Sequence, residues 1–567
     1  MKIQLKFLMC YSIIFLIPVM LVGGCGGQSH TANTEPAPEA PQLSADGAQD
    51  AAQAVTSSIG AVNVLTYHND NARTGQNLNE TVLTTNNVNS SAFGSVGFLP
   101  VEGKVDAEPL YASNLAIGGA PHNVVFVVTE RDLAYAFDAD TFARLWRVSL
   151  LGPGETTSDK RGCSQVEPEI GVTSTPAIDL KAGLHGTMYL VALSKNHSGK
   201  YSQRLHALDI TTGAELSGSP QTIEAQFPGS GAASAGGHVV FDPKQYEERA
   251  ALLLVNGVVY TSWASHCDHD PYTGWVIGYN ASTLNQVAVL NLTPNGSEGA
   301  VWMSGAGPAA DASGNIYLLV GNGTFDTALD ARGFPSRGDF GNAFAKIATS
   351  REGLKVSDYF AMHDTVAESN NDTDLGSGGA MLLPDMKDSA GKIRRLAAGA
   401  GKDTIIYVVD RDSMGKFNPE NDRAVYQKVP NGPGQGEFAM PAYFNNTVYY
   451  GFVGRPLQAF PLAAARLANS PSSTSAARFA YPGATPSISA NGSSNGIVWA
   501  VEAGNQSNGV LHAYDATNLS RELYNSDQAA GRDQFLDNKF ITPMIAGGKV
   551  YVGTPDGVIV FGFLHGR

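Results

Sequence analysis

Basic charge is what this chain has least of. Across 567 residues, 37 Lys and Arg face 52 Asp and Glu, a formal charge of −15. No stretch gathers Lys and Arg into a stripe that could neutralise phosphates, so nucleic acid is excluded as a partner. Charged residues of both signs make up only 16%, too few for a coiled coil or a solvated, disordered chain. Long hydrophobic runs are missing too. The nearest, Phe7 to Val22, is interrupted by Tyr11, Ser12 and Pro18 and falls short of the roughly 20 apolar residues that cross a bilayer. Cysteine is scarce, four in all, which excludes a disulfide-dense scaffold.

What is present starts with an export signal. Lys2 and Lys6 precede the apolar run, the arrangement of a signal peptide. The run ends in Leu21-Val22-Gly23-Gly24-Cys25, which resembles the bacterial lipobox. Residues 1–24 then read as a lipoprotein signal, and Cys25 as the lipid anchor that ties the chain to a membrane. An ordinary secretory signal with a chance Cys is the alternative. Residues 25–60 are rich in Ala, Pro, Ser and Gln, carry four acids and no Lys or Arg, and read as a flexible tether. The expected location is extracytoplasmic, periplasmic or at the cell surface. Cys10 leaves with the signal, and in that oxidising compartment the two remaining cysteines, Cys163 and Cys267, are expected to form a disulfide between loops of neighbouring repeats; free thiols are the alternative.

Residues 61–567 carry a repeat. A hydrophobic strand ends in a bulky residue followed by Asp or a small turn residue, most clearly at Tyr135-Ala136-Phe137-Asp138, His206-Ala207-Leu208-Asp209 and His512-Ala513-Tyr514-Asp515. Weaker copies end at Asn280, Ala348, Asp410, Pro461 and Gly562. Strand-and-turn repeats of this length predict an all-β propeller with one blade per copy, hence eight blades. The last copy supplies only three strands before the chain stops, and residues 94–101 have the missing strand's pattern. This N-terminal strand is expected to complete the eighth blade and so remove an exposed edge. Seven blades with one module as an insertion is the alternative, and the module around Val448-Tyr449-Tyr450-Gly451-Phe452 is the weakest.

With Ala136-Phe137-Asp138-Ala139-Asp140-Thr141 running on to Leu145-Trp146, the repeat resembles the pyrroloquinoline-quinone (PQQ) repeat of quinoprotein dehydrogenases. Tyr67-His68-Asn69-Asp70-Asn71-Ala72-Arg73-Thr74-Gly75 resembles an uncharacterised bacterial branch of PQQ-like propellers. The resemblance implies a channel site in which PQQ lies on a calcium ion and an Asp serves as base toward a small alcohol or sugar. Carried over motif by motif, it makes Asn322 a calcium ligand, Asp374 the base and a metal neighbour, with Asp372 as its understudy. Lys402 becomes the cation facing the quinone oxygens. Three departures stand against it. Where a calcium-binding Glu belongs, the strict register gives His269, so only Asp268 or Asp270 could supply that ligand. Trp302, the candidate stacking platform, comes about three residues early. The adjacent cysteine pair of many alcohol-oxidising members is absent.

Each motif also has a plainer explanation as a turn, a cap or a solvated loop residue. Two functions are therefore expected from different classes. One is a PQQ- and calcium-dependent oxidoreductase with a small-molecule substrate. The other is a cofactor-free propeller that binds protein partners as a scaffold at the membrane surface. A glycan-binding or hydrolytic propeller is neither supported nor excluded.

Overall fold

A computed structural model describes residues 62–432, 434–503 and 508–564. The signal segment, Cys25 and the tether lie outside the described residues. The rest forms eight antiparallel sheets of at least four strands, in chain order, and these are the blades. Blade 1 is Leu110–Ile117, Ala120–Thr129, Leu133–Asp138 and Arg144–Ser149. The inner strands of blades 2 to 7 are Ala177–Asp179, Leu253–Val255, Ala309–Ala310, Met381–Leu382, Ala442–Phe444 and Ser487–Asn491. Blade 8 orders Met544–Ala546, Lys549–Thr554 and Gly557–Phe563 beside Phe93–Pro100. Phe93 pairs with Phe563 and Pro100 with Gly557, so the N-terminal strand completes the last blade. The eight-bladed expectation holds, and the weak sixth module is a full blade.

The repeated Asp has a physical role. Asp138 Oδ1 accepts hydrogen bonds from the amides of Asp140 and Thr141 at 3.0 and 2.7 Å, closing the turn between the third and fourth strands. Asp209 and Asp515 do the same for Thr211 and Thr517, and Asn280 does so for Thr283. Such side-chain-to-backbone bonds are why Asp and Asn favour turns. Copies that end in Ala, Pro or Gly cannot form them, which is why the repeat is faint there. Between the turns, central strands such as Val124–Thr129 are continuously buried, and this is why they read as Val-rich runs.

Strand direction decides where a site can form. In each antiparallel blade the entry to the first strand and the loop between the second and third strands lie at one end of the propeller. The repeated Asp turns lie at the other. Asn322, Lys402 and Asp268 sit in second-to-third loops, and Trp302 and Asp374 sit in first-strand entries, so topology sends all of them to the same mouth.

The segment from Asn63 to Glu80 touches the inner strand of every blade in turn. Asn63 and Val64 pair with Ala112 and Tyr111 of blade 1. The carbonyls of Leu65, Asn71, Ala72, Thr74 and Gly75 then accept from the amides of Ile178, Ala310, Leu382, Tyr443 and Ile488, in blades 2, 4, 5, 6 and 7. Asn71 Nδ2 donates to Leu254 O in blade 3, and Asn77 Nδ2 donates to Ile545 O in blade 8. A strap with this contact order runs round the inside of the channel. Its staple is Arg73, fully buried, which donates to Pro308 O, Leu252 O, Tyr67 O and Thr66 Oγ1. Four acceptors match most of the guanidinium's five donors, as a buried cation requires. Gly75 allows the turn: at φ +66° it lies against the His68 ring, where a Cβ would come within 2.3 Å of Cε1.

Candidate functional site at the channel mouth

Asn322 and Asp374 are brought together by backbone contact that only glycine permits. A Cβ on Gly376 would lie 2.3 Å from Gly321 N. That close approach sets Asp374, two residues earlier, against the Gly321-Asn322-Gly323 turn. Asn342 helps to fix it: its amide donates to Gly321 O, and its Oδ1 accepts from Leu375 N at 2.7 Å. Lys402 follows from the next blade, its amide bonding Asp374 O at 2.9 Å.

The side chains form a charged cluster. Asp374 is 1% exposed. Its Oδ1 lies 2.9 Å from Lys402 Nζ, and its Oδ2 has no hydrogen-bond partner. Lys402 also bonds Asp372, whose Oδ1 accepts from Asn322 Nδ2 at 2.7 Å. That leaves Asn322 Oδ1 buried and unpaired. Asp268 faces the same mouth, within electrostatic reach of Lys402 and Asp372, and accepts from Tyr272 OH. Asp268, Asp270 and His269, the residue in strict register, are all exposed to solvent.

Burial pushes the Asp374 carboxyl above its ordinary range; Lys402 opposes this, while Asp372 and Asp268 add to it. Burial likewise raises Asp268. Burial lowers Lys402, but the Asp374 charge and the bond to Asp372 outweigh it and hold the amine above its usual value. Sequence reasoning missed Glu298, which lies in this field. It is raised by burial and then by Asp270, Asp268, Asp372 and Asp374. Its only signal was an acid among small turn residues, Asn295-Gly296-Ser297-Glu298-Gly299, just ahead of Trp302.

These groups suit a hard divalent cation. Such ions take carboxylate and amide oxygens, and two buried oxygens, Asn322 Oδ1 and Asp374 Oδ2, have no other partner. A planar quinone fits less well. Trp302 does enter the mouth, its Cδ1 3.6 Å from where a Gly321 Cβ would stand. Yet Trp302, Phe438, Tyr481 and Phe540 close a ring of edge-on contacts, with centroids 6.1, 5.4, 5.9 and 6.5 Å apart around the cycle. Interplanar angles are 62–85°. A flat ligand stacked between two rings needs parallel faces about 7 Å apart, two van der Waals contacts of about 3.5 Å each. On the far side of this ring, away from Asn322, Asp374 and Lys402, a cavity against Phe438, Thr485 and Phe540 measures about 10 Å³, room for about one water. As the side chains stand, the quinone does not fit. Phe438, Tyr481 and Phe540 were also invisible as site residues, because each precedes a different blade.

Cys163 and Cys267 form the expected disulfide, 104 residues apart with Cα atoms 6.4 Å apart. It joins the entry loop of blade 2 to the loop of blade 3 that carries Asp268.

No sequence-family model and no curated protein matches the chain. Solved structures do. The quinohemoprotein alcohol dehydrogenase of Comamonas testosteroni aligns over 89% of this chain and 81% of its own, with TM-score 0.56 and 14% identity. Quinohemoprotein alcohol dehydrogenase ADHIIG of Pseudomonas putida HK5 aligns over 88% and 80%, with TM-score 0.55 and 13% identity. At such identity the likeness is one of fold, and by fold this chain is a PQQ-dehydrogenase-like eight-bladed β-propeller.

Proposed function

We propose that the chain is a quinone-free propeller of this architecture. It is exported, lipid-anchored through Cys25, and acts as a protein-binding or assembly scaffold at a membrane surface, with a hard cation at its mouth. The observation that carries the reading is the closed aromatic cycle of Trp302, Phe438, Tyr481 and Phe540 where a planar cofactor would stack. Within that reading Asn322 and Asp374 hold the cation, and Lys402 balances the carboxylates around it. No chemical step is assigned to them.

A second reading is favoured by one observation, the convergence of Asn322, Asp374, Lys402 and Asp268 on a single mouth. It is a PQQ- and calcium-dependent oxidoreductase acting on a small alcohol or sugar, and it requires Phe438 and Phe540 to swing away from Trp302. The two readings separate in a titration of the purified domain with PQQ, with and without calcium, followed by absorbance and thermal shift. The scaffold reading expects calcium alone to raise the melting temperature and PQQ to leave it unmoved. Calcium-dependent PQQ binding that is lost in Asp374→Ala would replace it with the oxidoreductase.

A further inference from the structure

Behind the loop that carries Asp268 lies a cluster that the mouth does not use. Cys163, Cys267 and His266 offer ligand atoms all within 4.8 Å of one another. His266 is buried, and its Nδ1 lies 2.7 Å from Glu247 Oε2. Its Nε2 stands 3.9 Å from Cys267 Sγ. Metal–sulfur and metal–nitrogen bonds of about 2.3 and 2.1 Å set a sulfur and a nitrogen donor of a tetrahedral zinc site about 3.6 Å apart, so His266 and Cys267 need little movement, while the two sulfurs, bonded in the disulfide, must part to about 3.8 Å. The carboxylate on Nδ1 is the outer-sphere partner that metal-bound imidazoles have, and it directs Nε2 toward the ion.

We propose that this corner is a redox-operated metal site. A dithiol reductant breaks the Cys163–Cys267 bond, giving up two electrons and two protons and closing to its own disulfide. The two thiols, and the Nε2–H that His266 directs at Lys160 O in the oxidised chain, then lose their protons to solvent as they bind a borderline-soft divalent ion such as Zn²⁺, with the freed His266 Nε2 as third ligand. The fourth position falls to water or to His269, whose ring centroid is 6.0 Å from that of His266. In the oxidised chain both sulfurs are tied up, and His266 Nε2 is instead 2.7 Å from Lys160 O. Lys160 shares a turn with Cys163, whose amide bonds the same carbonyl. Releasing Cys163 therefore also frees the imidazole. Arg161, on this same turn, lies 3.7 Å from Glu247. Disulfide and metal are alternative clamps on the His266–Asp268 turn, and either one keeps Asp268 at the mouth.

The test uses the full chain, reduced with a phosphine, desalted anaerobically and titrated with Co²⁺. One Co²⁺ per chain is expected, with a near-ultraviolet thiolate-to-metal band that the oxidised chain lacks. His266→Gln is expected to weaken binding at least tenfold, and Glu247→Gln by about 10–100-fold, the usual cost of losing an outer-sphere partner. Oxidised, both variants should still fold and melt only about 1–3 °C below wild type, the cost of the buried hydrogen bonds they weaken. Added Zn²⁺ should raise the melting temperature of the reduced chain. The proposal is overturned if the reduced chain shows no thiolate band, if Zn²⁺ leaves its melting unmoved, or if His266→Gln binds like wild type.

Discussion

Arg73→Met tests whether the strap ties the eight blades together. Methionine keeps much of the apolar stem but removes the guanidinium, so the carbonyls of Pro308, Leu252 and Tyr67 lose its donors. An orphaned buried acceptor costs about 1–3 kcal/mol, and three of them cost several. Part returns because a buried cation no longer has to be desolvated, which leaves a net loss of about 3–5 kcal/mol. With an unfolding entropy of about 2.1 cal/mol/K per residue, some 500 ordered residues give about 1 kcal/mol/K, so Tm should fall by about 3–5 °C. Arg73→Lys should recover only part of this, because a single ammonium cannot reach acceptors on both sides. Hydrogen exchange supplies the decisive assay. The amides of Ile178, Ala310, Leu382, Tyr443 and Ile488 all donate to strap carbonyls, and they should lose protection together. Faster exchange confined to Ala310, beside Arg73, would refute the strap as one cooperative unit, as would an unchanged melt.

Gly376→Ala should abolish cation binding and cost several kcal/mol or prevent folding, since its Cβ would meet Gly321 backbone at 2.3 Å; calorimetry and terbium luminescence read the two effects. Asn322→Ala should weaken calcium binding and lower the melt of the calcium-free domain only slightly, because its Oδ1 has no protein partner and its Nδ2 gives up a single hydrogen bond, to the exposed Asp372. Burial, with Asp403 and Asp364 nearby, pushes Glu368 from 4.5 up to about 8. The folded chain thus keeps a proton that the unfolded chain gives up, and stability falls as pH rises from about 4.5 to 8. Glu368→Gln should therefore change little near pH 4 and stabilise most at pH 8, as Tm measured against pH would reveal. Replacing Cys163 and Cys267 with Ser should cost about 2–5 kcal/mol, read by denaturant melts under non-reducing conditions.

The architecture was legible because its signals are local. Strand periodicity, the capped turns at Asp138, Asp209 and Asp515, and the unfinished last module each needed only a few neighbouring residues. The ladder between Phe93–Pro100 and Gly557–Phe563 could be foreseen because an open edge demands a partner. The site was legible only in part. Asn322, Asp374 and Lys402 were found through a resemblance, and they meet because the glycines around them let backbones touch. The aromatic cycle left no trace, since Trp302, Phe438, Tyr481 and Phe540 are separated by up to a hundred residues and more and meet only once the ring closes. Arg73 stood in a noticed motif, but its role as a staple depends on carbonyls from blades 3 and 4. Glu298 looked like any turn acid until the charges around it were in place.

The central claim is that the mouth holds a cation but no quinone. A crystal structure of the domain grown with calcium and an excess of PQQ tests it most directly. The account predicts a calcium ion on Asn322 Oδ1 and Asp374 Oδ2, with the four rings still in contact. Quinone density lying flat on Trp302, with Phe438 and Phe540 displaced, would contradict it.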